Sequence, residues 1–121
     1  MNYEELTIRI KDPVLRSFVE SILSDYWSDL LKLPSSITGV HHPVDERGSK
    51  GLARHVFKVV KLCEHLIREF SLGEDASDCL IAAAILHDIS KVDYVKNLLG
   101  KWVRDDRDEK LHPILSALIV R

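Results

Sequence analysis

The sequence predicts an all-α protein, a bundle of about five helices. Glycine and proline are sparse, at five and four of 121 residues, and most fall between segments whose apolar residues recur every three or four positions. Alternating patterns are nearly absent: "LTIRI" at 6–10 suggests at most a short extended piece with no obvious partner strand.

The first long helix is expected over residues 13–32. Asp12 supplies an N-cap and Pro13 the first helical position, and Leu15, Val19, Ile22, Tyr26 and Leu30 repeat at helical spacing until "LPSS". Residues 33–50, with two prolines, two glycines and no sustained period, read as a long loop of the kind that more often carries function than not. A helix follows over 51–70, with Leu52, His55, Val59, Leu62 and Leu66 on one stripe that points His55 inward. "SLGEDAS" ends it at Gly73 and starts the next, over 75–88, whose second half is apolar nearly all round and so reads as the central helix. A weaker helix is expected over 93–99, a charged loop or lid over "KWVRDDRDEK", and an apolar helix from Leu111 with Pro113 in its first turn.

Length and 45% hydrophobic content suit one domain with a real core, residues 1–121. The net charge of −2 offers no global attraction to nucleic acid or anionic lipid, so nucleic acid is not indicated as a partner. Cys63 and Cys79 lie in apolar helical patterns without CxxC spacing and read as buried free thiols. No apolar run approaches a membrane span, and "MNYEEL" lacks the charge pattern of a signal peptide; a soluble cytoplasmic protein is expected.

The chemistry concentrates in "CLIAAAILHDISK", residues 79–91. Leu80, Ala83, Ala84 and His87 share a stripe, and Asp88 follows at the helix end, where a carboxylate meets the negative end of the helix dipole and needs compensation. A cation held by neutral imidazole and ionised carboxylate would supply it, with His55 as third ligand. The plain alternative is a core histidine and a local helix-ending hydrogen bond, and in a chain with six histidines spacing alone leaves both open.

"GLARHVFKVVKL" at 51–62 followed by "AAAILHDISK" at 82–91 resembles the HD-domain superfamily of metal-dependent phosphohydrolases. "HHPVDERGSKGLARH" at 41–55 is similar to the entry segment of a subgroup. The resemblance covers about residues 35–121, with 1–34 as an N-terminal helical extension. It implies an HD-like bundle in which His55, His87 and Asp88 hold a divalent ion, Mn, Fe, Co, Ni, Zn or Mg. Asp88 would also bridge metals or orient water, and Lys91 would meet a substrate phosphate, although by position Lys91 equally reads as a solvated lysine favoured by the helix dipole.

By the same resemblance His112 would be a further metal ligand or phosphate contact and His41 and His42 would line the site, while Arg47 would contact a substrate anion; the plain alternative for each is a surface residue. His65, out of phase with His55, reads as a structural or surface residue. The pattern closes with an aspartate on a later helix; none follows "LHPILSALIV", and Asp105, Asp106 and Asp108 precede it. The resemblance therefore implies a C-terminally incomplete core, in which either the ligand set is incomplete or the last ligand is replaced by water, another subunit or another carboxylate. The apolar face of 111–120 would favour a homo-oligomer. Two functions stand: hydrolysis of a phosphate ester in a small phosphorylated compound or nucleotide, or a non-catalytic metal- or ligand-binding module.

Overall fold

A computed structural model describes residues 1–35, 43–46 and 48–92. These form a short helix α1 (Glu4–Thr7), a long α2 (Pro13–Lys32), a single 3₁₀ turn (Val44–Glu46), α3 (Gly51–Glu69) and α4 (Glu74–Leu86). The expected helices over 93–99 and from Leu111, like His41, His42, Arg47 and His112, lie outside the described residues. All-α character holds, with four helices among the described residues against about five expected for the whole chain.

"LTIRI" is not extended. α1 leads into i→i−3 bonds from Arg9 N to Leu6 O (3.2 Å) and Ile10 N to Thr7 O (3.0 Å). Leu6 and Ile10, four apart, are both fully buried while Ile8 is 71% exposed, so the alternation was a helical i, i+4 pair in disguise. α2 begins as its residues dictate: Asp12 accepts from Leu15 N at 2.8 Å, with Pro13 in the first turn. Buried Asp78 of α4 accepts from the backbone N–H groups of Lys11 and Asp12, each at 2.9 Å, tying the start of α2 to α4.

α3 packs against both α2 and α4, and the three share one core: Val19, Leu23 and Leu30 of α2, Leu52, Val56 and Val60 of α3, and Ile81 and Ile85 of α4. The buried face of α3 differs from the expected stripe. Leu52, Ala53, Val56, Val60 and Cys63 are inside, whereas Leu62 is 57% and Leu66 36% exposed. The helix is turned by about a quarter of a revolution relative to that expectation. Its smaller residues face inward, and His55 sits at the rim of the buried face rather than within it.

α4 is buried along Ile81, Ala82, Ala84, Ile85 and Leu86 but exposes Cys79 and Ala83. Cys63 is therefore buried as expected and Cys79 is not; both are free thiols. No helix among the described residues is long and apolar enough to cross a membrane.

Candidate metal centre

α4 ends at Leu86, two residues short of the expected 88. The chain then tightens into i→i−3 turns, from Ile89 N to Leu86 O (3.2 Å) and Lys91 N to Asp88 O (2.9 Å). This tightening lets neighbours His87 and Asp88 point to one spot, which a continuing α-helix would forbid. Ile89 and Val92, each 1% exposed, anchor the turn in the core.

At that spot the side chain of His55 on α3 meets those of His87 and Asp88 in the turn after α4. His55 Nε2 lies 3.1 Å and His87 Nε2 3.0 Å from the same Asp88 oxygen, Oδ2. One ligand atom from each of the three residues falls within 4.8 Å of the others. The imidazole centroids are 5.5 Å apart. Asp88 is 1% exposed at its side chain, whereas His55 and His87 are 22% and 33% exposed, so the cluster opens to solvent on its imidazole side.

The other edge of each ring is held. His87 Nδ1 lies 2.6 Å from the carbonyl of Ala84, which only accepts, so Nδ1 carries the proton. His55 Nδ1 lies 2.8 Å from Glu46 Oε1 and donates to that carboxylate. Each neutral ring therefore turns the lone pair of Nε2 toward Asp88 Oδ2. Three acceptors facing one point repel unless protons or a cation lie among them. The donor set, two imidazoles and a carboxylate with orienting partners behind the rings, fits a divalent transition ion.

The metal-free chain meets the same demand with protons. Burial of His87 opposes its charge, but the hydrogen bond and charge of Asp88 and the Ala84 carbonyl outweigh it and raise the His87 pKa. Burial likewise opposes the Asp88 charge. Its hydrogen bonds from His55 and His87, with the charges of His87 and Lys91, hold the carboxyl far below the usual range. Lys91 is buried, at 4% exposure, with Nζ 3.8 Å from Asp88 Oδ2. The solvated-lysine reading is thereby corrected: the turn after Leu86 folds the ammonium inward beside the carboxylate.

One residue of the site escaped the sequence analysis. Glu46, 2% exposed, comes from the loop before α3 and reaches His55 from behind. Its only advance signal was a carboxylate nine residues ahead of the histidine, inside a segment with no period. His65, read as a structural or surface residue, is exposed, the surface alternative.

This constellation defines a class: a candidate metal site in which a histidine from one helix meets a His-Asp pair at the end of the next. A family model for the HD domain matches residues 52–121, more than half of the chain, and the chain belongs to that family. The superfamily is one of metal-dependent phosphohydrolases, which act on phosphorylated substrates. No curated protein and no solved structure matches the chain significantly.

Proposed function

We propose that this protein is a metal-dependent phosphohydrolase that cleaves a phosphate ester in a small phosphorylated compound or nucleotide, with His55, His87 and Asp88 as metal ligands. The observation that carries the reading is the convergence of two oriented Nε2 lone pairs and one buried carboxylate oxygen within 4.8 Å. A bound divalent ion supplies positive charge to phosphoryl oxygens and activates water for attack. The chain's own residues position and neutralise. The Ala84 carbonyl and Glu46 fix the two rings, Asp88 carries the compensating negative charge, and Lys91 places an ammonium beside it for a substrate phosphate. The solvent-facing imidazole edge is the side from which substrate enters.

Residues 1–34 act in this reading as an extension that closes the core through α2, and 35–121 as the HD core. A second reading is a metal-binding module without turnover. Metal analysis of the purified protein, then a phosphatase and phosphodiesterase screen with added Mn, separates the two. Turnover that vanishes in His87→Ala supports the enzyme, bound metal without turnover on any ester supports the module, and a metal-free protein indifferent to His87→Ala removes both.

A further inference from the structure

Glu46 enters the site by a route that only the folded chain supplies. Its peptide is pinned from two sides, by Ser35 N donating to Glu46 O at 2.9 Å and by Glu46 N donating to Pro43 O at 3.0 Å. It is pressed against the start of α3 so closely that a Cβ on Gly51 would lie 2.0 Å from Glu46 O. The carboxylate is then held at both oxygens, and Ser35 Oγ adds a longer contact to Oε1 at 3.4 Å. Oε1 receives His55 Nδ1 at 2.8 Å, and Oε2 receives Lys58 Nζ at 2.9 Å. Lys58 is itself steadied by Asp45 Oδ1 at 2.9 Å, so the ammonium holds the carboxylate in one orientation.

Glu46 touches the edge of His55 opposite the one that faces Asp88, and therefore does not replace the family's last carboxylate ligand. Its effect passes through the ring. With a carboxylate at Nδ1 a proton stays there, so the only proton a metal must displace is the one Nε2 shares with Asp88 Oδ2, 3.1 Å away.

We infer that Glu46 is a positioning residue that sets the tautomer of His55, with Lys58 fixing which oxygen Glu46 presents. The inference rests on the proposed ligand role of His55. A sharp consequence follows for Glu46→Gln, which is nearly isosteric. Lys58 demands an oxygen, so the amide turns its NH₂ to His55. Nδ1 then accepts, the ring proton moves to Nε2, and the ligand lone pair is blocked. Removing the ammonium frees the amide to turn back.

The test reads nitrogen-15 shifts and long-range proton correlations of the imidazoles in metal-free protein at pH 8, together with cobalt(II) affinity. Native protein is expected to show His55 protonated at Nδ1. Glu46→Gln should show it at Nε2 and bind cobalt at least about tenfold more weakly. Adding Lys58→Met to Glu46→Gln should return the proton to Nδ1 and recover affinity, a rescue that mere structural damage would not give. A native His55 protonated at Nε2 and not at Nδ1 overturns the inference without any variant, should the variants fail to fold. So does a folded Glu46→Gln with the proton still on Nδ1 and affinity within about twofold of native. If native protein binds no cobalt, the proposed function fails, while the tautomer measurements still decide the role of Glu46.

Discussion

At the scale of single residues the site is a charge-balance problem centred on Asp88. Two rings and one ammonium compensate a carboxylate that is 1% exposed. Asp88→Ala removes the negative charge and leaves Lys91 buried without it, a change that costs about 3 kcal/mol in buried pairs. Urea unfolding of the metal-free variant should show a loss of that order, and metal binding should disappear with it.

The pH dependence has a definite sign. His87 has a raised folded pKa, so its stabilisation of the metal-free chain is complete below the unfolded value, near 6.5, and is lost as pH rises through the folded value. Asp88 is depressed, so its contribution is present above the unfolded value near 3.8 and is lost as pH falls toward the folded one. Metal-free protein should accordingly draw most from this pair between about pH 4 and 6.5. Metal binding needs unprotonated Nε2 atoms, so the rise in Tm caused by zinc should grow from pH 6 to pH 8. A zinc increment that shrinks over that interval would contradict ligation through the imidazoles.

At the scale of elements, the approach of the 3₁₀ turn to α3 decides whether the site is assembled. Gly51 is the contact point, and a methyl group there collides with the backbone of Glu46 rather than with a side chain that could swing away. Gly51→Ala should destabilise the protein by about 2 kcal/mol and weaken metal binding by displacing Glu46 from His55. Calorimetry with and without metal measures both. At the start of α2, Asp12→Ala should cost about 1 kcal/mol through the lost cap on Leu15 N, without affecting metal affinity.

The elements also show what could be read in advance. The caps and periodicity of α2, α3 and α4 are local properties, and their ends were legible to within about two residues, as is usual for helix termini. The rotation of α3 was not. Apolar residues occupy more than half of that helix's circumference, and only contact with α2 and α4 selects Ala53, Val56, Val60 and Cys63 over Leu62 and Leu66.

At the scale of the whole molecule, the core formed by α2, α3 and α4 separates the two thiols that the sequence treats alike. Burial raises the Cys63 pKa, whereas Cys79 lies on the outer face of α4. A thiol reagent should label one cysteine promptly and the second only on the timescale of unfolding; mass mapping should find Cys79 modified first. The same core anchors the end of the His-Asp turn through Ile89 and Val92, so the proposed metal site is fastened to the most buried part of the fold.

The sequence alone determined the helical class, the elements on which His55, His87 and Asp88 lie, and the ligand chemistry those side chains offer. Each of these depends on residue identity and on neighbours within a few positions along the chain. Only the tertiary structure decided that α3 turns His55 to the rim, that Lys91 folds inward, and that Glu46 comes to stand behind His55. Those outcomes depend on packing and charge partners from separate segments, and no local periodicity records them.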